Sequence, residues 1–316
     1  MRNIFLKSLV KLAQEDRNVM LLTADLGYGV FESFVEQFPD QYINVGVAEQ
    51  NMTGLATGLA LEGKVVFTYS IGNFPTLRCL EQIRNDACYH GVNINIVCSG
   101  AGFSYGPLGM SHHATEDLSI MRSLPGVTLV APCNEEETEH ATIQLAKTAG
   151  VGYLRLEKIT GGEKPITSGF ILGKANVIRE GDDVSFIVAG GIMKEVLSAA
   201  DILNSRGISS RIVSMHTVKP LDLEVISDCV RRTPMIITVE ENNVLGGLGG
   251  AVAEYCMEEG LYPKAFMRVG MRDVYSSVVG DQQYLRSHYK MDAKALVELV
   301  ISKIDIGKHS IINGAK

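Results

Sequence analysis

Tryptophan is absent from the 316 residues of this sequence, proline is scarce at 9 residues, and no long apolar run occurs. The apolar stretches fall well short of the ~20 residues that a membrane-spanning helix needs. Charge interrupts the amino-terminal segment too early for a secretory signal. The sequence therefore predicts a cytoplasmic protein with no membrane partner. The 32 glycines and 46% hydrophobic residues are typical of a compact α/β enzyme and exclude a disordered or fibrous chain.

An excess of positive charge is also missing. Lys and Arg total 29 against 36 Asp and Glu, which gives a formal net charge of -7. Proteins that bind nucleic acids usually concentrate positive charge, so the composition argues against a nucleic-acid partner. The six cysteines form no C-x-x-C pair and stand in apolar or helical contexts. That pattern indicates reduced, mostly buried thiols, with neither disulfides nor structural zinc.

The length predicts two domains, because a single domain usually spans about 100 to 200 residues. Short, apolar, β-branched segments alternate with helical patterns in both halves, which favours an α/β protein of two doubly wound domains. We place the domains at 1–165 and 183–316 and their connection at 166–182, within a stretch rich in Gly, Lys and Thr that ends in charge. The predicted strands are 19–23, 65–69, 94–98 and 127–131, followed by 184–189, 211–215 and 235–239.

A glycine-rich run, Gly246–Gly250, follows the last of these strands. It superficially resembles a dinucleotide-binding loop, but it does not fit G-x-G-x-x-G with a following ribose-binding acid. Glycine is also what a crowded strand-to-helix junction demands. We therefore interpret the run as a tight turn and a close-packed helix start.

Glu49 stands in the first turn of a predicted helix whose apolar residues share one face. A carboxylate there can simply complement the helix dipole. The small, apolar residues on either side favour another role, because a carboxyl group in such surroundings can share a proton. Both interpretations are open on the local sequence alone.

Several blocks resemble, in order and over nearly the whole chain, the thiamine-diphosphate enzymes of the transketolase family. The resemblance implies a thiamine-diphosphate pyrimidine-binding domain followed by a transketolase C-terminal domain. The matching blocks are Thr23–Leu26, Val45–Gln50, Tyr69–Ser70 with Asn73–Phe74, Gly106–His112, Val218–Asp222 and Val239–Gly247.

The resemblance assigns five residues to the cofactor. Glu49 would hydrogen-bond the ring nitrogen of the aminopyrimidine and favour its imino tautomer, which then removes the thiazolium proton. Phe74 and Tyr69 would pack on the pyrimidine, Leu26 would be the apolar wedge that bends the cofactor, and Asp25 belongs to the same block. Phe74, Tyr69 and Leu26 are alternatively core residues.

The resemblance also implies substrate contacts. His112 would reach an oxygen of the substrate and move protons, with His113 as its neighbour. Arg155 would clamp the distal phosphate, and a surface ion pair is the alternative. The spacing of His112, His113 and Glu116 could suggest metal ligands, but no third cluster accompanies it, and no metal site is expected on this chain.

The sequence departs from the family in two ways. Leu108, Gly100 and Gly29 replace polar residues of the substrate pocket, so the accepted sugar is not specified. The sequence also lacks the G-D-G followed by Asn that holds magnesium and diphosphate. Mg²⁺ and the diphosphate would therefore be held by a partner, the N-terminal half or alpha subunit, in an α2β2 assembly.

The expected function is that of the beta subunit of a transketolase that is active only with its partner. It would move a two-carbon ketol unit from a ketose phosphate to an aldehyde, and the donor could be a pentose phosphate, apulose phosphate or a sulfonated ketose. The alternatives are a 2-oxoacid dehydrogenase E1 beta-like subunit and a deoxyxylulose-phosphate synthase-like subunit. A non-catalytic scaffold is disfavoured because Glu49, Phe74 and His112 occur together.

Overall fold

A computed structural model describes residues 1–158 and 169–313 of the chain. The first part of the predicted connection 166–182 lies outside the described residues. None of the described helices has the length and apolar character that a membrane crossing requires. The helices are α1 (Arg2–Glu15), α2 (Glu32–Gln37), α3 (Glu49–Leu61), α4 (Leu80–Gln82), α5 (Asp117–Ser123), α6 (Glu135–Lys147), α7 (Met193–Asn204), α8 (Leu223–Arg232), α9 (Leu248–Glu258), α10 (Gln282–His288) and α11 (Ala293–Asn313).

Twelve strands lie in the described residues, and short 3₁₀ or π turns connect some of the elements. The strands are β1 (Val19–Thr23), β2 (Tyr42–Asn44), β3 (Val65–Ile71), β4 (Ile94–Ser99), β5 (Val127–Val130), β6 (Val151–Leu156), β7 (Asn176–Arg179), β8 (Val184–Ala189), β9 (Ser210–Ser214), β10 (Thr217–Lys219), β11 (Met235–Asn243) and β12 (Ala265–Met271). All seven strands that the sequence predicts are present, with ends that shift by up to four residues.

The first sheet has the order β10-β5-β6-β4-β3-β1-β2. Strands β1 to β6 pair in parallel, and β1, β4 and β6 are buried along their whole length. Parallel strands covered by helices on both faces read as continuous apolar runs, which is why the sequence revealed them. The predicted α/β architecture of two sheet domains is confirmed.

The second sheet has the order β12-β11-β8-β9-β7. Its edge strand β7 pairs antiparallel with β9 and lies inside the segment predicted to be a connection. That boundary is corrected, because residues 176–179 belong to the second sheet. Strand β10, from the second half of the chain, pairs antiparallel with β5 of the first sheet. A strand of the second domain therefore completes the sheet of the first domain.

The glycine-rich run is a helix start. Gly246 has a φ of 78°, and a Cβ on Gly247 would lie 2.1 Å from Glu240 Oε2. The Glu240 carboxylate accepts hydrogen bonds of 2.8 Å from the backbone N–H groups of both Leu248 and Gly249. A buried carboxylate therefore occupies the place that an anion would take at this helix terminus, as the turn interpretation requires.

Candidate active site

The predicted site residues follow the carboxyl ends of neighbouring parallel strands. In an open α/β sheet, ligands bind along this edge. The sheet order places the ends of β6, β4, β3, β1 and β2 side by side. The residues that follow those ends are, in the same order, Lys158, Gly100, Phe74, Asp25 and Glu49.

Glu49 is the first residue of α3, and it is only 2% exposed. Its Oε2 accepts a hydrogen bond of 2.7 Å from Nη1 of Arg78. In the described part of the chain, no protein donor reaches its Oε1. The surroundings are therefore less apolar than the sequence suggested, and one carboxylate oxygen keeps its capacity to accept a hydrogen bond.

Phe74 and His112 complete the cluster. The guanidinium carbon of Arg78 lies 4.5 Å from the centroid of the Phe74 ring. The imidazole of His112 meets the same ring edge-on, with centroids 5.3 Å apart and an interplanar angle of 67°. Ser111 Oγ lies 3.0 Å from His112 Nδ1. The structure thus brings Glu49, Phe74 and His112 together, with Arg78 between Glu49 and Phe74 and with His112 against Phe74.

Two loops are fastened to each other beneath this cluster. The Asn73 side-chain amide donates a hydrogen bond to the backbone carbonyl of His113. Gly72 has a φ of 44°, and a Cβ there would lie 3.2 Å from the carbonyl oxygen of His112. The loop that carries Phe74 therefore packs directly against the histidine loop, and glycine permits the close approach.

Asp25 and Leu26 line a separate cavity of about 380 Å³ with Tyr28, Phe31 and other residues between β1, β2 and α2. Asp25 has a φ of 54°, a left-handed conformation that residues other than glycine rarely adopt. Its backbone N–H donates to Asn44 Oδ1 at 2.9 Å. Both residues lie at the same sheet edge as Glu49. They follow β1, which is next to β3, the strand that precedes Phe74.

Tyr69 does not take its predicted place beside the cofactor. It is 3% exposed and packs between Phe5 and Phe31, with ring centroids 6.1 and 4.7 Å away. Burial raises the pKa of its phenol to about 12. Tyr69 is therefore a core residue, which was the alternative interpretation of its sequence.

His113 also turns inward. It is 2% exposed, its Nε2 donates a hydrogen bond of 3.1 Å to the Gly106 carbonyl, and its ring meets Phe103 edge-on at 5.1 Å. The prediction that His113 contacts substrate is corrected, because its ring holds the histidine loop to the protein interior.

The structure contradicts the predicted role of Arg155 as a phosphate clamp. Its side chain is fully buried, and it donates to Asp117 at 2.8 and 3.1 Å and to the carbonyl oxygens of Ala114 and Glu241 at 3.0 and 2.9 Å. Glu157 lies 3.7 Å away on the remaining side. A guanidinium engaged in this way cannot clamp a substrate phosphate, and it instead joins the two domains.

Two other basic residues reach open space at the same edge. Arg2 and Lys158 are exposed and line a cavity of about 690 Å³ together with Gly100, Tyr105 and Glu157, among others. Glu135 also lines this cavity, so its charges are mixed, and the two basic side chains are the groups that could pair with an anion. Sequence reasoning missed both residues, although Lys158 stands only three residues beyond Arg155, just past the end of a buried strand.

A carboxylate pair between the domains was missed as well. Glu157 and Glu241 both accept hydrogen bonds from Gln282 and Arg286. Burial, and then the neighbouring Glu241, raise the pKa of Glu157 to about 7, against the opposing effects of Arg286 and Arg155. These residues are distant in sequence, so no local pattern announces the pair.

Family models match both halves of the chain. The model described as "Transketolase, pyrimidine binding domain" covers residues 1–162, and the model described as "Transketolase, C-terminal domain" covers residues 173–296. The chain belongs to the transketolase family. The resemblance on which the sequence analysis relied is thereby confirmed, and the family's domains imply dependence on thiamine diphosphate.

Individual transketolase relatives match over almost their full length. The 6-deoxy-6-sulfo-D-fructose transketolase subunit SqwH of Clostridium sp. is 36% identical over 94% of this chain and 92% of its own. An apulose-4-phosphate transketolase subunit of Actinobacillus succinogenes is 31% identical over 95% and 97%. A solved structure described as "Split gene transketolase, inactive beta4 tetramer" superposes with a TM-score of 0.84 at 36% identity, covering 95% of this chain and 96% of its own.

The cluster fits one end of thiamine diphosphate. An aromatic ring that is partly exposed and a buried carboxylate with one oxygen that accepts no hydrogen bond from the described residues are suitable partners for an aminopyrimidine, which stacks and shares hydrogen bonds. Phe74 and Glu49 would thus hold that ring. His112, also partly exposed, borders the same place and could move a proton to or from a substrate oxygen.

Proposed function

We propose that this chain is the beta subunit of a thiamine-diphosphate-dependent transketolase. It transfers a two-carbon ketol unit from an anionic ketose to an aldehyde acceptor, and it is active only with an alpha subunit that corresponds to the N-terminal half. The observation that carries the proposal is the cluster of Glu49, Phe74 and His112 at the carboxyl edge of the first sheet.

Each residue of the cluster has a distinct task. The bound cofactor supplies the electron sink for carbon–carbon bond cleavage. Glu49 shares a proton with the ring nitrogen through Oε1, and Phe74 orients the ring. His112 exchanges protons with the hydroxyl or carbonyl oxygen of the substrate, because imidazole gains and loses protons near neutral pH.

The alpha subunit supplies the ligands of magnesium and diphosphate. This proposal is supported by the missing G-D-G motif in this sequence and by the words "subunit" and "split gene" in the names of relatives that this chain matches over almost their full length. We propose an α2β2 assembly in the cytoplasm. The beta tetramer of the split-gene relative is described as inactive, as expected for that relative without its other half.

We propose that the substrate anion binds in the cavity lined by Arg2 and Lys158. One relative is named for a sulfonated fructose and another for apulose 4-phosphate, and both sugars carry an anionic group. Either guanidinium or ammonium can pair with a phosphate or a sulfonate. The class of substrate is therefore an anionic ketose, with both anions as candidates.

The test is a coupled ketol-transfer assay with the chain alone, the alpha subunit alone, and the two together with thiamine diphosphate and Mg²⁺. We expect turnover only in the mixture, with a phosphorylated or sulfonated ketose as donor. Turnover by the chain alone would contradict the dependence on a partner. Turnover of pyruvate with an aldehyde phosphate, but of no ketose, would instead support the deoxyxylulose-phosphate synthase alternative.

A further inference from the structure

Arg78 meets two residues of the proposed cofactor site at once. It is hydrogen-bonded to Glu49 Oε2 at 2.7 Å, and its guanidinium lies over the Phe74 ring. The side chain of Arg78 is 44% exposed, whereas that of Glu49 is 2% exposed. The ion pair is therefore shielded from water on the side of the carboxylate. A hydrogen bond is electrostatically stronger where water is excluded.

The contact with Glu49 fixes the direction of the carboxylate. A guanidinium hydrogen bond is directional and charge-assisted, so it restrains Oε2 and leaves Oε1 facing away from Arg78. A glutamate without this partner would distribute over several rotamers. Proton sharing with a ring nitrogen needs one of these orientations, and misplacement by about 1 Å can cost a hundredfold in rate.

The contact with Phe74 fixes the aromatic platform. Arg78 follows Phe74 by four residues, through a 3₁₀ turn at Leu77–Cys79, and folds back over the ring. The Arg78 backbone N–H donates to the Asn73 carbonyl at 3.4 Å, which closes the turn. One side chain thus relates the β3 loop to the first turn of α3, and within the described residues no second ion pair joins these two elements.

From these contacts, and resting on the proposed function, we propose that Arg78 is a positioning residue for cofactor activation. It orients Glu49 toward the aminopyrimidine nitrogen and holds Phe74 at the matching place. It acts through these two residues and not on the reacting carbon. The sequence signal is a basic residue four positions after the platform aromatic.

The test compares Arg78→Ala and Arg78→Lys in the assembled complex with thiamine diphosphate and Mg²⁺. We expect Arg78→Ala to slow both kcat and deuterium exchange at the thiazolium carbon on the order of ten- to a hundredfold, with KM for sugars within about threefold of wild type. Lysine keeps a cation for Glu49 but loses the planar stacking, so Arg78→Lys should recover part of the exchange rate.

Arg84→Ala is the matched control. Arg84 is an exposed arginine on the same surface segment, and its side chain bonds to Asn85, not to the cluster. Its exchange rate should equal that of wild type. Wild-type exchange in Arg78→Ala would overturn the role of Arg78. Faster exchange or tighter cofactor binding would also overturn it, since Arg78 would then merely block the site. An inactive wild-type complex would contradict the proposed function itself.

Discussion

Two buried glutamates have different surroundings, and these surroundings predict different roles. Glu49 faces a partly exposed guanidinium at the edge of the site, and within the described residues one of its oxygens has no protein donor. Glu157 is enclosed between the domains beside Glu241, and its pKa is raised to about 7. Glu49 thus keeps one oxygen for a ligand, whereas both oxygens of Glu157 accept hydrogen bonds from protein donors. Different experiments should separate them.

Glu49→Gln should reduce ketol transfer by about a hundredfold or more in the complex, because the amide keeps the size of the side chain but cannot share a proton with the ring nitrogen. Folding and association with the alpha subunit should persist, since the neutral amide still accepts a hydrogen bond from Arg78. Steady-state kinetics and size-exclusion chromatography measure the two effects. Near-normal turnover would reduce Glu49 to a helix-start carboxylate.

Glu157 should make stability depend on pH. Its folded-state pKa lies above the ordinary value of 4.5, at about 7, so the folded chain binds more protons than the unfolded chain between these limits. The free energy of unfolding should therefore fall as pH rises from about 4.5 to 7. Glu157→Gln should make that decline shallower, as followed by denaturant unfolding of the isolated chain across this range. The part due to Glu240, whose pKa burial also raises to about 7, should remain. An equal decline in the variant would assign it to other groups.

Among the elements, the buried parallel strands and the helix that begins at Glu49 could be predicted, because apolar runs and a first-turn carboxylate are local signals. Phe74 and His112 were not found from these local signals, because only the resemblance of their sequence blocks to the transketolase family implied their roles. The order of the strands in the sheet is known only from the structure. It places the strand ends that carry the site in one row.

The elements that could not be predicted depend on distant partners. Strands β7 and β10 are four and three residues long, and their antiparallel pairing is decided by the other elements they meet. Arg155 reads as an ordinary arginine at a strand end, yet its partners Asp117 and Glu241 are 38 and 86 residues away. The sequence pattern of β3 is compatible with Tyr69 on either face of the strand. Only tertiary packing distinguishes these outcomes.

Arg2 at the start of α1 and Lys158 just after the end of β6 should govern recognition of the substrate anion. Lys158→Ala, and separately Arg2→Ala, should raise KM for a phosphorylated or sulfonated ketose about tenfold or more, the factor expected for one charge-assisted contact. KM for the corresponding uncharged ketose should hardly change, so the two donors are compared within each variant. Equal increases in KM for both donors would show that the cavity does not bind the substrate anion.

On the scale of the whole molecule, buried charge joins the domains, and the carboxyl edge of the first sheet carries the candidate site. Arg286 pairs with the carboxylates of Glu157 and Glu241, one from each domain, and Arg155 pairs with Asp117 and donates to the backbone carbonyl of Glu241. Strand β10 completes the first sheet from the second half of the chain. We propose that the joined domains support half of a cofactor site. The proposed alpha subunit would complete it.

The most direct test of this account is deuterium exchange at the thiazolium carbon of thiamine diphosphate, followed by NMR with Mg²⁺ present. It is measured for this chain, for the alpha subunit, and for their mixture, and it needs no knowledge of the sugar. The account predicts fast exchange in the mixture and only the solution rate with either chain alone. Fast exchange with this chain alone, or none in a mixture shown to associate, would contradict it.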